Sequence, residues 1–290
     1  MLRWRLPLGS LFIAALAGLC WLDAGPQPGR WLTPLAVLLA AAGTQELFWL
    51  YRSRGLAPLA WPAYVGNVGM VIAAAAAVWL NLPQHVLTWP ACVLALAVAS
   101  GFVGEMARYR QPGTTSELLG LGMMALVYVG LCLAFVVALR VVVPDPAGIL
   151  ALASLVIVVK MCDTGAYTVG RLAGRHKLAP LLSPGKTVEG AWGGLVWGVA
   201  AAVLTFALLV PALGGFGTAP WWRWAIYGAL VAIAGTAGDL AESLLKRDLG
   251  RKDSSPWMPG FGGVLDLLDS ILLAAPVAWL CWQSGLVWLR

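Results

Sequence analysis

Apolar stretches of about 20 residues, parted by short connections that carry most of the charge, recur along this chain, and runs of that length span a bilayer as helices. On that pattern we expect nine transmembrane helices, at about 6–22, 31–51, 59–82, 86–104, 117–139, 147–169, 190–213, 222–243 and 262–284. Strands are not expected, because lipid offers no partner to the unpaired backbone of an open sheet edge. The fold class is therefore an all-α polytopic integral membrane protein. Composition agrees: 60% of the 290 residues are apolar and 11% are charged, whereas globular domains are about a quarter charged.

A formal charge of +6 does not make this chain a nucleic-acid binder, since its basic residues recur between apolar runs and form no single patch. With a cytoplasmic N-terminus, the inner connections hold Arg3, Arg5, Arg52, Arg54, Arg108, Arg110 and the basic loops 170–189 and 245–261. The outer ones hold only Arg30, Arg140, Arg223 and Arg290. The positive-inside rule predicts this orientation, in a bacterial-type cytoplasmic (inner) membrane with both long basic loops facing the cytoplasm. Arg3 and Arg5 precede an apolar run to Trp21 that has no clear small-residue cleavage site. A retained first helix is expected.

Cys20, Cys92, Cys132, Cys162 and Cys281 lie in or beside apolar runs without paired spacing and read as packing residues. Residues 1–145 read as a membrane anchor and lipid-facing scaffold. Glu46 and Asn67 are its polar exceptions; either suits a polar cavity, and Asn67 suits an interhelical hydrogen bond. Polarity rises near residue 160, and residues 146–290 read as the catalytic half.

In that half, Gly185-Lys186-Thr187 invites a phosphate-loop reading, which fails because Pro180 stands where the glycine six residues before the lysine is required. A Gly-Lys-Thr turn opening a helix still suits an anion, through free backbone N–H groups and the helix dipole. Asp239, Glu242, Ser243 and Lys246 share one helical face at i, i+3, i+4 and i+7, and Asp266 and Asp269 follow at i, i+3 on the next helix. The short loop between predicts a hairpin that brings the two acidic faces together. Carboxylates inside apolar runs are costly and mark a functional site. Gathered together they need protons or a cation, and oxygen-only ligands suit Mg²⁺. No zinc site is expected, because His85 faces outside and His176 stands alone in a basic loop. Carboxylates for a divalent ion beside cations for phosphates, at a membrane face, imply phosphoryl or nucleotidyl transfer to a lipid.

These residues resemble the phosphatidate cytidylyltransferases (CDP-diacylglycerol synthases). The family signature is matched by Ser243, Lys246, Arg247, Lys252, Asp253, Pro259, Gly262, Gly263, Asp266 and Asp269, with Gly238-Asp239-Leu240 and Glu242 before it. Asp163-Thr-Gly-Ala-Tyr167 and Ser183-Pro-x-Lys-Thr-x-Glu-Gly190 match as well. The resemblance implies that a phosphatidate oxygen attacks the α-phosphorus of CTP, that pyrophosphate leaves, and that the protein is a homodimer. By the same carry-over, Asp239 and Asp266 are the metal pair, and Asp269 and Lys246 complete the catalytic set. Asp163, Ser183, Lys186, Thr187, Glu189, Glu242, Ser243, Arg247, Lys252, Asp253, Gly262 and Gly263 contact substrate. Phe261 replaces the family His, Leu267 the family Arg, and Met258 a Leu, Ile or Phe. The carboxylates survive, so activity is expected. The rival readings are a CTP-dependent polyprenol or lipid kinase, and a non-catalytic or ion-transporting paralogue.

Overall fold

The computed structural model describes residues 14–143, 145–213, 219–255 and 262–287. Eight helices among the described residues are long and apolar enough to cross a membrane. Of the first expected span, the described part is α1, Ala14–Asp23, and the rest lies outside the described residues. The chain divides into two compact units. One comprises the described residues of Met1–Val142 and Asp248–Leu267, the other those of Val143–Arg247 and Leu268–Arg290.

The first unit contains α1, α2 (Leu32–Ser53), α3 (Ala60–Trp79), α4 (Thr88–Arg108), and a span built from α5 (Thr115–Ala125), a π-helical segment (Leu126–Leu131) and α6 (Cys132–Val142). Pro34, Pro62 and Pro90 each fall at the third residue of α2, α3 and α4. The first N–H groups of a helix lack an intrahelical acceptor, so proline there costs no bond. Helix α2 stops at Gly55, whose φ of 75° is left-handed. Gly55 N–H donates to Arg52 O at 3.0 Å and Leu56 N–H to Tyr51 O at 3.1 Å, the Schellman pattern. The interhelical hydrogen bond expected of Asn67 is present. Its amide donates to Thr44 Oγ1 (2.7 Å) and to Ala125 O (3.3 Å) at the edge of the π segment.

Arg140 is not at a surface: it and Asp23 are each 1% exposed. Arg140 Nε lies 2.8 Å from Asp23 Oδ2, and the Asp23 carboxylate also accepts from Gly29, Trp31 and Leu32 N–H. One buried ion pair thus shapes the α1–α2 turn and caps α2.

The second unit contains α7 (Ala147–Ala173), strands β1 (Lys177–Ala179) and β2 (Ser183–Thr187), α8 (Val188–Ala212), α9 (Trp221–Asp248, to Arg247 in this unit) and α10 (Val264–Gln283, from Leu268). Helix α8 lays Gly190, Gly194 and Gly198 along one face. A Cβ on these would strike Ala166 O, Cys162 O and Ala232 Cβ respectively, so small residues set the helix approach where lipid provides no hydrophobic drive. Phe206 packs with Trp224, Tyr227 and Trp282 in the core.

The strands depart from the sequence expectation. They form an antiparallel hairpin, Lys177 opposite Thr187 and Ala179 opposite Ser183. The bar on open edges applies in hydrocarbon, whereas this hairpin is the polar link between two spans. Helix α9 also outruns its expected end near 243. The Glu242–Lys246 pair at i, i+4 (2.6 Å) and the basic residues of its last turn favour extension. Outward residues such as Leu96, Val103, Leu204 and Leu208 are more than half exposed, as lipid-facing positions require.

Replacing Arg140 with Met leaves the buried Asp23 without its counter-charge, so Arg140→Met should destabilise the protein by about 3–5 kcal/mol. The denaturation midpoint of the detergent-solubilised protein checks this, and Asp23→Asn in the same chain should restore part of the loss.

Candidate active site

The second unit holds a cavity of about 490 Å³, a size suited to a small ligand. Helix α7 contributes Asp163, Tyr167 and Arg171, the hairpin Gly185, Lys186 and Thr187, α8 Gly190 and Ala191, and α9 Thr236 and Asp239. Asp163, Tyr167 and Arg171 recur at i, i+4 and i+8, one stripe of a helix. Arg171 Nη1 donates to Tyr167 Oη at 2.8 Å.

The hairpin is held where α7 meets α8. Thr187 is the N-cap of α8, its Oγ1 accepting from Gly190 N–H at 3.0 Å. Glu189, in the first turn, accepts from Arg175 N–H (3.0 Å) and from the backbone N–H and Nδ1 of His176. Val188 N–H donates to His176 O, and Lys177 Nζ donates to Pro184 O at 2.7 Å. Glu189 therefore ties the start of the hairpin to its end, and His176, expected to stand alone, has a partner. So braced, β2 delivers Lys186 to the cavity, where its Nζ lies 2.7 Å from Asp239 Oδ2.

Asp239 is placed by its neighbour. A Cβ at Gly238 would collide with Asp269 O and Ser270 Cα, so glycine lets the α9 backbone touch that of α10. Asp239 lies within electrostatic reach of both Asp163 and Asp269, and Lys160 within reach of the same two. Lys160 Nζ is 3.6 Å from Asp163 Oδ2. Asp269 Oδ1 accepts from Ser270 N–H (2.5 Å) and Oγ (3.0 Å). Asp163, Asp239, Lys186 and Arg171 thus present carboxylate oxygens and cations to one cavity, the combination that phosphate and metal chemistry needs.

A sequence model of the cytidylyltransferase family matches residues 5–284. The chain belongs to that family. The phosphatidate cytidylyltransferase of Bacillus subtilis is 31% identical over 248 residues, 84% of this chain and 86% of that protein. That of Mycobacterium leprae is 45% identical over 125 residues, 43% of this chain and 38% of that relative. That of Staphylococcus saprophyticus is 43% identical over 121 residues, 42% of this chain and 44% of that relative. The chain thus spans less than half the length of the mycobacterial relative and most of the Bacillus one.

The residues expected at a cytidylyltransferase-family site fall into both units. The second unit brings Asp163, Lys186, Thr187 and Asp239 to the cavity and sets Asp269 near Asp239. Ser183 begins β2, Arg247 Nε donates to Leu182 O at 3.2 Å, and Lys246 pairs with Glu242 on α9, whose Ser243 is buried. The first unit holds exposed Lys252 and Asp253, together with Gly262, Gly263 and Asp266. Asp266 Oδ2 accepts from Ser254 N–H (2.9 Å), Ser254 Oγ (2.7 Å) and Gly263 N–H (2.8 Å). Pro259 and the altered positions Met258 and Phe261 lie outside the described residues. Tyr167, which closes the matched Asp163-Thr-Gly-Ala-Tyr167 motif, and Arg171 and Thr236 were not assigned a site role. The i, i+4, i+8 stripe through Asp163 and the i, i+3 pair Thr236–Asp239 are the signals that find them.

Thr187→Ala removes the α8 cap and should cost about 1 kcal/mol, read as a lowered unfolding midpoint. Thr187→Ser, which keeps the oxygen, should leave most of that stability in place.

Proposed function

We propose that this chain transfers CMP from CTP to phosphatidate, forming CDP-diacylglycerol and pyrophosphate, with the cavity of the second unit receiving the nucleotide phosphates. The observation that carries this reading is the Lys186–Asp239 pair, 2.7 Å apart, set in a ligand-sized cavity beside Asp163 and Arg171. The names of the relatives support the substrates. The concentration of Lys and Arg in loops 170–189 and 245–261 supports a cytoplasmic site in a bacterial-type inner membrane.

Lys186 and Arg171 bind phosphate oxygens through charge-assisted hydrogen bonds. The N-terminal end of α8, which lines the cavity at Gly190 and Ala191, adds the favourable end of a helix dipole. These groups hold the α-phosphorus in line with the incoming oxygen of phosphatidate. That oxygen forms the new P–O bond while the α–β bridging bond breaks, and pyrophosphate leaves with the electron pair. Positioning and fixed charge carry most of such a reaction.

Mg²⁺ fits the donors present. Among the described residues no group of three or more His, Cys, Asp or Glu forms a metal cluster, but Mg²⁺ commonly takes one or two carboxylates and completes its shell with water and substrate phosphates. Asp239, with Asp163 and Asp269 in electrostatic reach, is the carboxylate assigned to it in the second unit. Asp266 keeps the same assignment on its sequence motif. When bound, Mg²⁺ supplies Lewis-acid stabilisation of phosphoryl oxygens.

Incubation of the purified protein with phosphatidate, Mg²⁺ and CTP labelled in both the base and the γ-phosphate should place base label in the lipid fraction and release pyrophosphate. Lipid carrying only γ-label identifies a kinase and overturns the proposal, and no labelled lipid identifies a non-catalytic protein. Asp239→Asn and Lys186→Met should each lower kcat by about 10²-fold or more, with folded protein retained. A rate near that of the unaltered protein removes the substituted residue from the site.

A further inference from the structure

Glu46 lies in α2, far in sequence from every motif above, and is 1% exposed. A carboxylate at that depth is tolerated only with strong partners, and four donor groups lie within hydrogen-bond reach of it, one of them, the Ser254 hydroxyl, shared with Asp266. Oε1 accepts from Ser255 Oγ and Val264 N–H, each at 2.8 Å. Oε2 accepts from Ser254 Oγ at 3.0 Å and Leu265 N–H at 2.9 Å. Two donors precede residues 256–261 and two follow them.

The reason lies in how α10 starts. Gly263 stands at its N-cap position and has no side chain to receive the unpaired N–H groups of the first turn. Glu46 reaches across from α2 to receive two of them, at Val264 and Leu265. Asp266, three residues after Gly263, returns to accept Gly263 N–H, as the third residue of a capping box does. A larger N-cap residue has no room, because a Cβ at Gly263 would collide with Ser254 Oγ and both Glu46 carboxylate oxygens. Ser254 Oγ stands between Glu46 Oε2 and Asp266 Oδ2, and its single proton couples the two carboxylates. The end of α2 and the residue after it also hold the chain that leads to Ser254: Arg251 lies over the Trp49 ring at 5.0 Å, and Arg54 Nη2 donates to Asp248 O.

The structure assigns Glu46 as a positioning residue that caps α10 from α2, receives the hydroxyls of Ser254 and Ser255, and through Ser254 fixes the Asp266 carboxylate. Its effect on turnover rests on the proposed role of Asp266; its effect on the cap does not.

Two readouts on the full-length protein in lipid nanodiscs test this. In Glu46→Gln, one of the two acceptor oxygens becomes an amide NH2 facing donors, so amide exchange at Val264 and Leu265 should accelerate about tenfold or more. The Mg²⁺ concentration giving half-maximal rate should rise about tenfold, as when a partner of a metal carboxylate is lost. Partial unfolding alone would lower the maximal rate without moving that midpoint. Gly263→Ala should reproduce both changes. Ser254→Ala should shift the Mg²⁺ midpoint in the unaltered chain and add little in Glu46→Gln, the non-additivity of a shared network. Unchanged amide exchange in Glu46→Gln overturns the cap. Faster exchange with an unmoved Mg²⁺ midpoint overturns the link to Asp266. Normal turnover in Asp266→Asn refutes the metal assignment and, with it, that link, while the exchange result still decides the cap.

Discussion

A charged carboxylate at the depth of a transmembrane helix must find several donors or it will not be tolerated there, and this chain turns that constraint into architecture. Asp23 satisfies it with Arg140 and three backbone N–H groups. Glu46 satisfies it with two serines and two backbone N–H groups. In both cases the donors come from a turn and the start of a helix, so meeting the demand of one side chain fixes the path of the backbone. Asp239 is different, because its cationic partner Lys186 arrives on the second strand of a polar hairpin and both lie at a cavity. On the proposed function, a ligand phosphate competes with Asp239 for Lys186, whereas around Glu46 the sharing is internal, Ser254 Oγ lying between Glu46 and Asp266.

Most of the fold was legible because lipid leaves few options. Apolar run length gave the spans from α2 onward to within a few residues, and Pro34, Pro62 and Pro90 mark the starts of three of them. The hairpin between α7 and α8 was missed because Lys177–Ala179 and Ser183–Thr187 are too short and polar to show strand periodicity. Their pairing depends instead on Glu189 and on Val188 N–H. The length of α9 was misjudged because hydropathy falls at Glu242 although helical spacing continues to Lys246.

The candidate site was legible in its charged members. Asp163, Lys186 and Asp239 come from three separated motifs and meet in one cavity of the second unit. Tyr167 closes a matched motif but carries no charge, and Arg171 reads as an ordinary basic residue at a helix end, so neither is marked by its residue type as part of the cavity. Glu46 was visible as an anomaly but not as a cap. Its partners are 208 to 219 residues away in sequence, and no local pattern encodes that separation. Gly263 carried the complementary signal, a helix start with no capping side chain.

The glycine face of α8 bears on what the cavity can admit. Where α7 passes Gly190, the cavity wall runs close to the Ala166 carbonyl oxygen and the Gly170 Cα, so at this point the two helices meet main chain to main chain. Such a wall neither swells nor rearranges to suit a bulkier guest. Widening the range of accepted ligands falls to the other boundaries of the cavity, Tyr167 and Arg171 on α7, Thr236 on α9 and the hairpin that carries Lys186, whose side chains can be exchanged without prying α7 and α8 apart.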